Sequence, residues 1–167
     1  MAEKRLKIAF YSPYLTDHLG GGEKHLLDVA SVCAKAGAHV HICVPQAMSD
    51  ASLDQLRRQL ESTFGTTVAD FTWIRSPLFD AAFSWKKLNW TKQFDVLYFV
   101  TDGSLFFSLA KRNILHVQIP FTQPLSGVIQ RLKLRNWQSI QTNSEFTKSV
   151  IEASWHRKVD QVVHPVV

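Results

Sequence analysis

"LKIAFYSPYLTDHLGGGEKHLLDVASVCAKAG", residues Leu6 to Gly37, decides the fold. It opens on an apolar run, "LKIAFY", that reads as a short buried strand. It then passes three adjacent glycines, Gly20, Gly21 and Gly22, into "EKHLLDVASVCAKAG". There Leu26, Leu27, Ala30, Cys33 and Ala34 recur on one side at helical spacing, and Gly37 is a stop signal. A strand followed by an amphipathic helix is one βα unit. The glycines at the junction raise the functional question. They admit left-handed dihedrals and close backbone approach. The free N–H groups of a first turn, with the helix dipole, can hold an anion such as a phosphate or diphosphate. The plainer reading is a tight turn and a cap, which Glu23 suits, because a carboxylate in a first turn is favourable without any ligand.

The same alternation continues along the chain. "HVHICVP" (His39 to Pro45) is a second strand that Pro45 ends. "SLDQLRRQLESTF" is a helix with Leu53, Leu56, Leu60 and Phe64 on its buried side, capped by Ser52 with Gln55 three residues on. "TTVADFTWI" is a third strand, and "SPLFDAAFSWKKLNWTK" gives short helical pieces with aromatic anchors. "FDVLYFV" (Phe94 to Val100) is nearly all apolar, as a central parallel strand should be. "DGSLFFSLA" starts a short helix, "NILHVQIP" (Asn113 to Pro120) is a strand and "LSGVIQRLKLRNW" is a helix. "SIQTNS" is a strand running into the helix "SEFTKSVIEASW", and "DQVVHPVV" is a last strand with a proline inside it. Strands and helices that alternate in this way predict an α/β fold: a Rossmann-like parallel sheet with helices on both faces. Ligands of such sheets sit at the carboxyl ends of the strands.

Composition narrows the function classes. The chain has 167 residues, 46% hydrophobic and 20% charged, which excludes disorder and suits one domain. The formal net charge is +5, a modest excess that suits an anionic small molecule, a phosphorylated lipid or an anionic membrane surface. No zinc-finger spacing, RNP-like strand or dense basic recognition helix argues for nucleic acid. Cys33 and Cys43 read as free thiols in apolar settings, as in a reducing compartment. The opening "MAEKRLKIAF" does not read as a signal peptide, and no apolar run is long enough to span a membrane. A proline-containing strand at the end, without a closing helix, reads as one piece of a larger protein.

Several side chains fall where a ligand would be met. The glycine run is not a P-loop, since Gly-Lys-Ser/Thr is missing, and it does not match the dinucleotide fingerprint. Asp102 and Ser104 lie just past the strand "FDVLYFV", where they would bind sugar hydroxyls or form a turn or N-cap. His116 and Gln118 share one strand face, with Gln118 nearer the strand end and His116 a core histidine. Asn143 and Ser144 stand at a strand end, where Ser144 caps the next helix. His18 lies in the first loop. The histidines make no recognisable metal spacing. Basic residues come in patches, Lys86, Lys87 and Lys92, then Lys111 and Arg112, then Arg131, Lys133 and Arg135. The first and last patches are interleaved with Trp85, Leu88, Trp90, Leu132, Leu134 and Trp137, a mixture that suits either a membrane interface or a solvated face beside core anchors.

The ordered set "GGGEKHLLDVA", "DGSLFF", "NILHVQIPF", "TNSEFTKSVI" and "VVHPVV" resembles the N-terminal half of family 4, retaining, GT-B-type glycosyltransferases. The resemblance covers essentially the whole chain. It implies a mainly acceptor-side domain, residues 1–167, whose C-terminal donor-binding domain is absent from this chain. It implies transfer of a sugar, with retention, from a nucleotide diphosphate sugar to an acceptor hydroxyl, in cell-envelope polysaccharide or glycolipid synthesis. Gly20 to Gly22 would then lie near the donor diphosphate, and His18, Asp102, Ser104, Gln118, Asn143 and Ser144 would meet sugar or acceptor. The partners are the nucleotide sugar donor and a sugar or lipid-linked acceptor, with no separate cofactor, no metal and no nucleic acid. The setting implied is cytoplasmic, with peripheral contact at the inner face of a membrane. Many members carry His where Gln118 stands; Gln keeps hydrogen bonding but not acid–base work. His164, before Pro165, falls at the family's hinge. Two alternatives stay open: a non-catalytic Rossmann-like module for an anionic ligand or protein partner, and half of a GT-B-type nucleotide-sugar epimerase.

Overall fold

The computed structural model describes residues 5–80 and 84–165. Its strands are β1 (Lys7–Tyr11), β2 (His39–Pro45), β3 (Thr72–Ser76), β4 (Val96–Thr101), β5 (Arg112–Val117), β6 (Ser139–Thr142) and β7 (Gln161–Val162). All pairings are parallel, in the order β3-β2-β1-β4-β5-β6-β7. The helices are α1 (Gly21–Lys35), α2 (Asp50–Phe64), α3 (Trp85–Thr91), α4 (Val128–Asn136) and α5 (Glu145–Trp155). The architecture is the expected α/β, Rossmann-like one.

Two apolar layers sandwich the sheet. Ile8, Phe10, Val40, Ile42 and Val44 meet Leu26, Leu27 and Ala30 of α1 and Leu53, Leu56 and Leu60 of α2. On the other face Ala9, Leu97, Phe99, Leu115, Val117 and Ile140 meet Leu134 of α4 and Ile151 and Trp155 of α5. The alternation along each strand produces this division, since successive side chains point to opposite faces. Cys43 is fully buried in the second layer, and burial pushes its thiol up to about 12. Cys33 is a free thiol on half-buried α1 surface.

Several boundaries differ from the sequence reading. α1 begins at Gly21 rather than Glu23, so two of the glycines are helical. α2 begins at Asp50, and its cap is Ser49, whose Oγ accepts the N–H of Ser52 at 3.1 Å. β3 starts only at Thr72, and β5 ends at Val117, which leaves Gln118 outside the strand. No helix follows β4; residues 102–111 form an irregular connection. A 3-10 turn (Pro77–Phe79) and α3 supply helical pieces as expected, with residues 81–83 outside the described ones. β7 is two residues long, and Pro165 lies beyond it rather than inside. Val166 and Val167 also fall outside the described residues.

Candidate functional site

The strand order reverses between β1 and β4, so the connections leaving their carboxyl ends diverge and open a crevice between them. The loop 12–20 enters it from β1 and the loop 102–111 from β4.

The glycine junction is built from the inside. Ser12, fully buried after β1, donates its hydroxyl to Glu23 Oε1 at 2.9 Å. Glu23 Oε2 accepts the N–H of Gly20 at 3.1 Å. Glu23, third in the helix, thus folds back as the carboxylate half of a capping box, and Gly20 has no side chain for the other half. None of these three glycines has a positive φ, which corrects the left-handed argument. Space is tight at Gly22 instead. A Cβ on Gly22 would lie 3.2 Å from Gln118 Oε1 and 3.7 Å from Val100 Cγ1. Gln118 Nε2 also donates to the carbonyl of Gly21 at 3.4 Å. Gly21 faces open space. The first turn therefore presents bare backbone at the carboxyl ends of β1 and β4. Its positive end is already partly answered by the buried carboxylate of Glu23.

A buried polar line runs beneath this helix start. The rings of His25 on α1 and His116 on β5 stack with centroids 3.9 Å apart and planes at 17°. His25 Nε2 lies 3.0 Å from the Tyr98 hydroxyl, which donates to Gln141 Oε1 at 3.3 Å. His116 is fully buried, and neither ring nitrogen has a partner among the described residues. Burial, and then the neighbouring His25, lower its pKa to about 3. His25 is lowered as well, first by burial. His116 is the core histidine expected from its strand position.

The β4 connection makes a second part of the rim. Asp102 Oδ1 accepts the N–H of Ser104 at 3.0 Å and its hydroxyl at 2.6 Å. Thr101 Oγ1 accepts the N–H of Gly103 at 2.9 Å and donates to the carbonyl of Ser104 at 2.8 Å. Gly103 has φ +96°, and a Cβ there would stand 2.9 Å from Phe121 Cε1, so both conformation and space require glycine. Asp102 is a turn former, and no helix follows for it to cap. Ser104 lines a cavity of about 390 Å³ with Tyr11, Phe79, Phe106, Lys87 and Lys133. Burial and then Asp102 raise the pKa of Tyr11, so its phenol stays protonated, donating to the carbonyl of Leu78 at 3.1 Å.

The other candidate residues lie at the end of β6 and in the loop 12–20. Asn143 Oδ1 accepts the Thr147 hydroxyl at 2.8 Å, and Ser144 Oγ accepts the Thr147 N–H at 3.1 Å, so both serve the cap of α5. His18 is exposed, its ring beside that of Tyr14. Among the described residues no group of three or more His, Cys, Asp or Glu is placed to hold a metal ion. The structure thus joins Gly22 with Gln118, and Ser104 with Tyr11; Asn143 and Ser144 bond within the α5 cap, and His18 stands beside Tyr14. Ser12, the inward turn of Glu23 and the His25–Tyr98–Gln141 line went unread in the sequence, although Glu23 three residues past Gly20 is a capping-box spacing.

The basic patches divide. Trp137 is fully buried and Leu134 nearly so, whereas Trp85 is 71% exposed and Val128, Ile129 and Leu132 lie open on α4. No described helix is long and apolar enough to cross a membrane. Comparison with protein-family models and with curated proteins finds no match for this chain.

Proposed function

We propose that the chain is the N-terminal, acceptor-side domain of a family 4, retaining, GT-B-type glycosyltransferase, with the donor-binding half in a second domain. The observation that carries this reading is the bare first turn of α1, which Gln118 from the end of β5 presses at Gly22. It stands at the reversal point of a Rossmann-like sheet, where nucleotide ligands bind. The ordered sequence motifs support the same assignment.

In the proposed reaction a glycosyl group leaves a nucleotide diphosphate and joins an acceptor hydroxyl with retained configuration. Negative charge grows on the departing diphosphate, and the N–H groups of Gly21 and Gly22 answer it from fixed positions. Gln118 holds hydroxyls by hydrogen bonds and does no acid–base work. The acceptor approaches from the cavity beside Ser104 and Tyr11. The open apolar residues of α4, flanked by Arg131 and Arg135, suit a lipid-linked acceptor and peripheral membrane contact.

The test uses the natural full-length gene product, assayed for transfer from nucleotide diphosphate sugars. Retaining transfer is expected, with no turnover by the 167-residue chain alone. Turnover by the isolated chain would refute the two-domain cleft. A second reading, a non-catalytic binding module, gains from one observation: Glu23 already caps the helix start from within. A full-length protein inert toward every nucleotide sugar would favour it. Turnover of a nucleotide sugar without an acceptor would point to an epimerase.

A further inference from the structure

Away from the crevice, α4 and the carboxyl end of α5 share a cavity of about 470 Å³. Arg131 and Arg135 reach it from α4, one turn apart, and His156 and Arg157 from the end of α5. Leu134 and Trp155 are apolar parts of its lining, and no Asp or Glu stands in that lining. The acidic residues nearest in sequence are engaged with backbone. Glu152 Oε1 accepts the N–H of Val159 at 2.9 Å, and Asp160 Oδ2 accepts that of Ile140 at 2.8 Å. Among the described residues, none of the three arginines forms an ion pair. Arg157 Nε is buried without a hydrogen-bond partner.

Like charges one turn apart destabilise a helix, so the arrangement calls for a counter-charge. Arg135 is partly answered by the carbonyl end of α4; Arg131, further from that end, is not. Guanidinium groups lining one cavity match the oxygens of a phosphate better than those of a lone carboxylate or halide. The same helix exposes Val128 (73%), Ile129 (65%) and Leu132 (46%) beside these arginines. A ligand that places phosphate against arginine and hydrocarbon against that surface is an anionic lipid.

We infer that the α4–α5 cavity is a phosphate-binding site whose phosphate is carried by a lipid headgroup, with the hydrocarbon against Val128 and Leu132. It adds a defined site to the membrane contact proposed above. It does not depend on glycosyl transfer, because the test reads binding alone.

The experiment floats the 167-residue chain with phosphatidylcholine vesicles, with and without phosphatidic acid, at fixed ionic strength. Binding only to the phosphatidic acid vesicles is expected. Arg131→Ala with Arg157→Ala should lower it about tenfold or more. Lys35→Ala with Arg58→Ala removes the same charge from α1 and α2, across the sheet, and should lower it less than about threefold. Arg131→Lys with Arg157→Lys keeps charge without the fork and should restore part of the binding. Thermal melts of each variant separate lost binding from lost fold. Equal losses in the two alanine pairs, or equal binding to pure phosphatidylcholine, would overturn the site. Glycerol phosphate at millimolar concentration should compete. If it binds the free protein as tightly as the vesicles do, the phosphate site stands and the lipid source is overturned.

Discussion

Neighbouring residues on β4 and β5 face opposite layers, and the two layers differ in kind. Leu97, Phe99, Leu115 and Val117 enter a layer closed by aromatic contacts, with Phe99 5.4 Å from Trp137 and 5.0 Å from Phe106 between centroids. Tyr98 and His116 enter the layer under α1, where they meet His25 and Gln141. One layer is closed by apolar and aromatic burial, with Tyr11 and Trp137 each donating to a backbone carbonyl at its edge. The other carries polar groups that locate the start of α1 against the strand ends, at a cost in desolvation. Stability and placement are thus divided between two faces of the same strands.

The largest effect should come from the apolar layer. Phe99→Ala is expected to lower unfolding free energy by about 3–5 kcal/mol, read from denaturant midpoints. An effect below about 1 kcal/mol would mean that this layer is not the one that stabilises the sheet.

Acid should act on the polar layer. His116 resists protonation when folded, whereas an unfolded histidine binds a proton near pH 6.5. Below that pH the unfolded state therefore holds more protons, and stability falls with pH until about 3, where folded His116 also titrates. Between pH 7 and pH 5 the contribution is about 2 kcal/mol. His116→Leu should be neutral or stabilising at pH 7, because the imidazole has no hydrogen bond to lose, and should shrink the acid loss by that amount. An unchanged acid slope would contradict the assignment. Tyr98→Phe, which removes the hydroxyl joining His25 to Gln141, should cost about 1 kcal/mol in the same assay.

The smallest stability effects are expected at the glycines. Gly21→Ala meets nothing within 4 Å and should stabilise by less than about 1 kcal/mol through helix propensity. Gly22→Ala must displace Gln118, so its gain should be smaller or reversed. Melting temperatures of the pair would show whether Gly22 alone is constrained.

Much of the fold was legible because its signals are local. "FDVLYFV" could be little other than a central strand, and the face of α1 with Leu26, Leu27 and Ala30 was readable from spacing alone. The errors arose where side chains closed turns. Thr101 and Asp102 bond back to the residues after them and stop a helix that the apolar pattern suggested. Ser49 took the cap from Ser52 by starting α2 three residues earlier than the spacing implied. The site was less legible. Gly21 and Gln118 are 97 residues apart, and only the sheet order brings them together. The stacked pair of His25 and His116 was hidden for the same reason. Arg131 and Arg135 were visible as a basic patch, but Arg157 joins them only through the packing of α5.

The central claim is that the bare first turn at Gly22 faces the reaction. Its most direct test is glycosyl transfer by the full-length protein and its Gly22→Val variant, each confirmed folded by its melt. The account predicts a loss of about a hundredfold or more, because the added side chain displaces Gln118 and misplaces the diphosphate against first-turn N–H groups that the variant keeps. A folded variant that transfers sugar at the parental rate would contradict it.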